Sequence, residues 1–134
     1  MDVEAQVVPS VLLVEDDRDG RRMYAEWLVR AGFRVQQAHN GLQALDRAIE
    51  VSPDVIVTDL DIPGIDGFEL TRRLRHDERT RSIPVLAVTG YAAFAADPER
   101  ATRAGCDGVL PKPCSPDELE AAIRGLLDGR LRSQ

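Results

Sequence analysis

The sequence of 134 residues has only two cysteines, only one lysine among its 17 basic residues, and no long apolar run. Its apolar runs are about eight residues or shorter, whereas a membrane-spanning helix needs roughly twenty. Cys106 and Cys114 flank a predicted strand at about residues 108–112, which would separate their Cα atoms by about 25 Å. A disulfide requires a separation below about 7 Å. We therefore expect a soluble protein with two reduced thiols.

Charge excludes further classes of protein. The N-terminal segment carries Asp2 and Glu4 where a secretory signal would carry positive charge, so we expect a cytoplasmic protein without a membrane partner. A net charge of −6 would repel a phosphate backbone, so nucleic acid is not an expected partner. Three arginines of the predicted third helix are interpreted as a solvated face and not as a basic patch: Arg72, Arg73 and Arg75.

Five short runs rich in valine, isoleucine and leucine alternate with stretches of helical period. Continuous apolar runs are typical of strands that are buried on both faces, and parallel strands require helical crossovers. The pattern predicts an α/β fold, a doubly wound parallel sheet in one domain over residues 10–128, between a flexible segment at 1–9 and a tail at 129–134. The runs are Val11–Val14, Val35 with its neighbours, Val55–Val57, Val85–Val88 and Val109–Leu110.

Helix boundary signals agree with this alternation. Ser115–Glu118 combines an N-cap serine, a proline at the first helical position and a glutamate that closes a capping box. The last helix is therefore predicted to end near Leu127, before Asp128–Gly129. Asp97–Pro98 is predicted to open the fourth helix, and Asn40 to cap the second.

Acidic residues follow two of the predicted strands. Glu15 and Asp16 come directly after the first strand, and Asp59 follows the third. In a doubly wound sheet these strand ends meet at one edge, where ligands bind. Carboxylates gathered there repel each other unless a cation relieves the repulsion, and an all-oxygen ligand set favours Mg²⁺ or Mn²⁺.

Two further polar residues follow the last two predicted strands. Thr89 follows the fourth strand, and Lys112, the only lysine, follows the fifth. A carboxylate such as Asp59 can attack a phosphoryl group, while a hydroxyl and an ammonium suit the phosphoryl oxygens. The five strand-end residues together indicate magnesium-dependent phosphoryl chemistry.

Four segments at these strand ends resemble, in order and spacing, the receiver domain of two-component response regulators. The resemblance covers about Val11 to Leu127 and implies a flavodoxin-like fold with strand order 2-1-3-4-5. It also implies a signalling domain of a two-component system or phosphorelay, which is not an enzyme beyond its own phosphorylation and dephosphorylation. The segments are Val11–Asp17, Thr58–Leu70, Val88–Gly90 and Leu110–Pro113.

The resemblance implies a role for each site residue. Asp59 would be the phosphoacceptor, charged by a phosphohistidine of a sensor histidine kinase or a histidine phosphotransfer protein. Asp16 and Asp59 would ligate Mg²⁺ directly, Glu15 would act largely through water, and Asp61 would lend its backbone carbonyl. Thr89 would be the switch hydroxyl.

Lys112 would pair with a phosphoryl oxygen, and its bond to Pro113 would be cis. By the same resemblance, the side chains of Asp61 and Tyr91 would influence how fast water hydrolyses the acyl phosphate. We expect the Tyr91 ring to shield it.

Two positions depart from the family pattern. Val109 and Cys114 stand where receiver domains usually have aromatic residues, so a different conformational readout is expected. Only residues 129–134 of the sequence follow the last predicted helix. If the protein ends there, the signal is expected to reach an unidentified downstream protein by docking or by phosphorelay. If the protein continues, the tail would lead to an effector or kinase module.

An enzymatic alternative rests on Asp59 and Asp61. Together they resemble the nucleophile and acid pair of haloacid-dehalogenase-type phosphatases, which are Mg²⁺-dependent. In that family the nucleophile strand comes first, whereas here Glu15 and Asp16 precede Asp59. A chain of 134 residues also leaves no space for a cap domain.

Overall fold

The computed structural model describes residues 8–90, 97 and 99–132, in which strands and helices alternate. The strands are β1 (Ser10–Val14), β2 (Arg34–Ala38), β3 (Val55–Thr58), β4 (Val85–Thr89) and β5 (Gly108–Pro111). The helices of these residues are α1 (Arg18–Arg30), α2 (Gly41–Val51), α3 (Gly67–His76), α4 (Arg100–Ala104) and α5 (Pro116–Arg132).

The described strands form a parallel sheet with the order β2-β1-β3-β4-β5, which confirms the predicted fold class and strand order. Successive residues of a strand face opposite sides of a sheet. Val11 and Leu13 accordingly pack in a cluster with residues of α1 and α5, whereas Leu12 and Val14 pack with residues of α2, α3 and α4. Both faces of β1 are buried, which explains its unbroken apolar run.

Side-chain caps begin α2 and α5 as the sequence predicts. The Asn40 side chain accepts a hydrogen bond from the Gln43 amide (2.7 Å), and Ser115 and Glu118 form the reciprocal capping box. Asp66 caps α3 in the same way. These caps satisfy amide groups that lack a partner within the helix.

Two predicted helix boundaries are wrong. The last helix does not end at Asp128–Gly129 but continues to Arg132. Gly129 does not adopt the left-handed conformation by which a glycine ends a helix, unlike Gly105 after α4 (φ 111°). The fourth helix begins at Arg100 and not at Asp97–Pro98, and the Arg100 amide donates to the Asp97 carbonyl oxygen (3.1 Å) before it.

The interpretation of Arg75 as part of a solvated helix face is wrong. Its side chain is 22% exposed and donates to the Gly105, Ile83 and Arg81 carbonyl oxygens and to the Asp107 carboxylate. The other two arginines of α3 are exposed and pair with Glu69, as the interpretation requires: Arg72 and Arg73.

The described residues include no helix with the length and apolar character needed to span a membrane. Both cysteines are buried and unpaired, as expected.

Candidate functional site

The carboxyl ends of β1 and β3 bring two acidic residues together. Val14 and Thr58 are paired in the sheet register, so the residues that follow them, Glu15 and Asp59, emerge side by side. The Asp59 amide donates to the Val14 carbonyl oxygen (3.1 Å). Both side chains are largely shielded from solvent, with Glu15 5% and Asp59 9% exposed.

Lys112 joins these two carboxylates. Its Nζ lies 2.6 Å from Glu15 Oε1 and 2.8 Å from Asp59 Oδ2. Its backbone amide donates to the Thr89 carbonyl oxygen (3.0 Å), which ties the start of the loop after β5 to β4. The peptide bond between Lys112 and Pro113 is cis, as predicted.

Glu15, Asp16 and Asp59 form an acidic cluster. Each offers one oxygen, and these oxygens lie within 4.8 Å of one another, with Asp16 at the solvent side. An all-oxygen set of few protein ligands that is open to water matches the coordination preference of Mg²⁺. The residues present therefore fit a divalent cation of this class.

Burial and hydrogen bonding act in opposite directions on the site's charges. Burial raises the pKa of Glu15 above its usual value and outweighs the hydrogen bonds from Lys112 and the Asp17 amide. For Lys112, burial favours the neutral amine, yet hydrogen bonds with Asp59 and Glu15 outweigh it and raise the pKa above its usual value. Lys112 is therefore a permanent cation between two acidic groups.

The structure places two of the three remaining predicted site residues, Asp61 and Thr89, next to or near Asp59. The Asp61 amide donates to Asp59 Oδ1 (3.0 Å), while the Asp61 side chain is exposed. Thr89 is the last residue of β4 and is 2% exposed. Tyr91 lies outside the described residues.

Gly67 lets α3 start against the loop that carries Asp59. A Cβ atom on Gly67 would lie 2.5 Å from the Asp59 carbonyl oxygen and 2.7 Å from the Leu60 Cα. Its amide instead donates to the Leu60 carbonyl oxygen (3.0 Å). The residues after Asp59 are thereby folded back so that the Asp61 amide reaches the carboxylate.

Two contacts of the site were not predicted. Arg21 on α1 donates to the Glu15 carbonyl oxygen (2.8 Å), and the Tyr24 hydroxyl donates to the Cys114 carbonyl oxygen (2.7 Å). Both acceptors are backbone groups, for which a sequence carries no signal.

The two positions that depart from the family pattern lie in the core. Val109 packs, partly buried, against the cluster that contains α3 and α4, and Cys114 is buried in the cluster that contains α1 and α5. Cys114 and Tyr24 share that second cluster.

Comparisons with known proteins agree with this geometry. The family model of the response regulator receiver domain matches residues 11–124. The polar-differentiation response regulator DivK of Brucella anthropi is 36% identical over 118 residues, which cover 88% of this chain and 95% of the relative.

Solved structures give the same result. A putative response regulator from Chloroflexus aurantiacus is 31% identical with a TM-score of 0.84, covering 91% of this chain and 99% of that chain. The receiver domain of a sensor histidine kinase from Pseudomonas aeruginosa, solved with a magnesium ion coordinated in its active site cleft, is 30% identical with a TM-score of 0.83 and the same coverage. The chain belongs to the response regulator receiver domain family of two-component signalling.

Proposed function

We propose that Asp59 is the phosphoacceptor of this receiver domain and takes a phosphoryl group from a phosphohistidine on a sensor histidine kinase or a histidine phosphotransfer protein. The observation that carries the proposal is the set of partners around this one carboxylate. Its oxygens accept from the Lys112 ammonium (2.8 Å) and the Asp61 amide (3.0 Å), and one lies within 4.8 Å of the Glu15 and Asp16 oxygens.

The transfer exchanges one bond to phosphorus for another. An Asp59 oxygen supplies the electron pair of the new P–O bond, and the P–N bond of the phosphohistidine breaks. The electrons of that bond leave with the imidazole, so the products are an acyl phosphate and a free histidine. Water later hydrolyses the acyl phosphate and restores the carboxylate.

Glu15, Asp16 and Asp59 would hold Mg²⁺ or Mn²⁺ through their side chains, and Asp61 through its backbone carbonyl. The bound ion would neutralise negative charge that develops on the phosphoryl oxygens. The Pseudomonas receiver domain with its coordinated magnesium supports this assignment.

Lys112 and Thr89 would bind the phosphoryl group from the protein side. The Lys112 ammonium already lies against one oxygen of Asp59 and one of Glu15, so a phosphoryl oxygen on Asp59 can replace the Asp59 oxygen as its partner. Thr89 lies at the end of the neighbouring strand and would close on the same group as the switch hydroxyl. Movement of these two side chains would signal phosphorylation to the rest of the domain.

The lifetime of the acyl phosphate is assigned to Asp61 and Tyr91. The Asp61 carboxylate is exposed beside the site, where its charge would repel an approaching hydroxide. The Tyr91 ring would shield the phosphorus from water.

The domain, over residues 10–128, would act in the cytoplasm as a signalling component and not as a turnover enzyme. Its partners would be the phosphodonor protein and an unidentified downstream protein, without direct contact to nucleic acid or membrane. A phosphatase of the haloacid-dehalogenase type is not favoured, because the family match covers the motifs in receiver-domain order.

The proposal is tested with a small acyl phosphate or phosphoramidate and mass spectrometry of the intact chain. We expect the addition of one phosphoryl group in Mg²⁺ and none in excess chelator. Asp59→Asn should not be modified, whereas Asp61→Asn, its matched neighbour, should be. Full phosphorylation of Asp59→Asn would contradict the assignment, and catalytic turnover of phosphate esters would favour the phosphatase instead.

A further inference from the structure

A buried phenol joins α1 to the loop that carries Lys112. Tyr24 lies in the second turn of α1 and is 8% exposed. Its hydroxyl donates to the backbone carbonyl oxygen of Cys114 at 2.7 Å, across 90 residues of sequence. Cys114 stands two residues after Lys112, in the connection between β5 and α5.

The side chains that surround Tyr24 are mostly apolar and do not explain why this residue carries a hydroxyl. Its ring packs in the cluster formed by β1, α1 and α5, with such neighbours as Leu13, Leu28 and Leu119. An aliphatic side chain would fill such a place, whereas a phenol brings a polar group that is costly to bury without a hydrogen bond. The feature to explain is therefore the hydroxyl and its acceptor.

The loop after β5 is held on both sides of the lysine. At Lys112 itself, the backbone amide donates to the Thr89 carbonyl oxygen on β4 (3.0 Å). Two residues later, the Cys114 carbonyl oxygen accepts from the Tyr24 hydroxyl on α1. The Lys112 ammonium reaches Glu15 and Asp59 from a backbone segment that is held on both sides, so a shift of that segment would move the ammonium away from the carboxylates.

Cys114 makes this arrangement compatible with the core. The position after Lys112–Pro113 carries a small side chain, and α1 contributes an aromatic ring, that of Tyr24, to the same cluster. Because this ring is a tyrosine on α1, its hydroxyl can donate to the loop backbone at Cys114.

We propose that Tyr24 is a positioning residue for Lys112: its hydroxyl fixes the loop so that the ammonium meets Asp59, and later the phosphoryl group on it. This inference rests on the proposed function, because it assigns Lys112 to the phosphoryl group. Tyr24 acts through the loop backbone: its hydroxyl donates to the Cys114 carbonyl oxygen and not to a carboxylate, although its side chain lines a small cavity together with Glu15, Asp59 and Lys112. Its removal should therefore slow phosphorylation and leave Mg²⁺ binding nearly unchanged.

The test is Tyr24→Phe, which keeps the ring and removes only the hydroxyl. With a small phosphodonor, we expect the phosphorylation rate to fall by roughly tenfold, the effect of one hydrogen bond. The Mg²⁺ concentration for half-maximal thermal stabilisation should stay within about twofold, since the Glu15, Asp16 and Asp59 oxygens do not lie on the loop. Tyr24→Leu should slow the reaction by the same factor, because the hydroxyl and not the ring is responsible.

Trp27→Phe is the matched control. Trp27 lies on the next turn of α1, and its indole N–H donates to Glu120 on α5 (3.0 Å), so this change also removes a hydrogen bond between α1 and the C-terminal part of the fold. It leaves the Cys114 carbonyl untouched. The phosphorylation rate of Trp27→Phe should equal that of the unchanged protein.

A double-mutant cycle with Lys112→Ala separates positioning from a general weakening of the fold. If Tyr24 acts through Lys112, adding Tyr24→Phe to Lys112→Ala should not lower the residual rate further. Equal slowing in both backgrounds, or an unchanged rate in Tyr24→Phe, would overturn the inference. Phosphorylation of Asp59→Asn in the same assay would instead mean that the proposed function fails.

Discussion

At the amino ends of β4 and β5, the charged groups have fixed partners, whereas at the carboxyl ends of β1 and β3 three carboxylates gather around one ammonium. Arg75 and Asp107 at the amino end bind each other, and Asp107 also accepts the buried Val85 amide (2.8 Å). At the opposite end, Glu15 and Asp59 both accept from Lys112, with Asp16 beside them. At the amino ends of the strands, the charged groups pair with each other and with backbone groups and so stabilise the fold. At the carboxyl ends, an excess of negative charge lowers stability and is available to bind ligands.

The comparison predicts that Arg75 contributes most to stability among these groups. Arg75→Ala leaves buried carbonyl oxygens and Asp107 without their cationic partner, so the free energy of unfolding should fall by about 3 kcal/mol. Urea unfolding followed by circular dichroism measures this change. Arg72→Ala, on the exposed side of the same helix, should lower stability far less. Similar losses in both variants would remove the distinction between the two ends.

Asp107 should make the second largest contribution to stability. In Asp107→Ala the buried Val85 amide loses its acceptor, and we expect a loss of about 2 kcal/mol in the free energy of unfolding. Asp107→Asn keeps an acceptor oxygen and should lose less. Neither variant should change the phosphorylation rate at saturating Mg²⁺, and a slower rate would show that the two ends are coupled.

Mg²⁺ should stabilise only through the carboxyl end. At a free concentration roughly ten times the dissociation constant, the ion should raise the free energy of unfolding by about 1.4 kcal/mol, and chelation should reverse the change. Asp16→Ala should abolish this stabilisation. Asp19→Ala, an exposed carboxylate nearby on α1, should retain it. Stabilisation that persists in Asp16→Ala would place the ion elsewhere.

The smallest effect is expected for Glu15→Gln in the absence of Mg²⁺. Because burial raises the pKa of Glu15, the ionised carboxylate is less favourable in the folded state than in water. The variant should therefore be more stable at neutral pH, by less than about 1 kcal/mol. This advantage should disappear as the pH falls below 4.5, where Glu15 is protonated in both states. Urea unfolding at several pH values measures it, and a less stable variant at neutral pH would contradict the prediction.

The sheet and the acidic site were predictable because they follow from local patterns and from one rule of topology. The run Val11–Val14 indicates a strand that is buried on both faces, and parallel strands necessarily bring their carboxyl ends to one edge. Glu15 and Asp59 had to meet there once their strands were placed. The position of Lys112 follows from the same rule.

Two of the contacts that the sequence does not predict have backbone acceptors far away along the chain. Arg75 binds the carbonyl of Gly105, and Tyr24 that of Cys114, and every residue type offers such a carbonyl. The end of α5 was missed for a related reason. Whether Gly129 ends a helix depends on the conformation that the surrounding fold leaves to it, and here the helix continues.

The hydrogen bond between Trp27 and Glu120 determines what an optical experiment on this protein can detect. Trp27 is the only tryptophan of the sequence. The residue next to Asp59 is Leu60, which does not fluoresce. The indole emission therefore originates at the contact between α1 and α5 and not beside Asp59. Magnesium titrations need another signal, whereas a change of emission on phosphorylation would report that these two helices have shifted against each other.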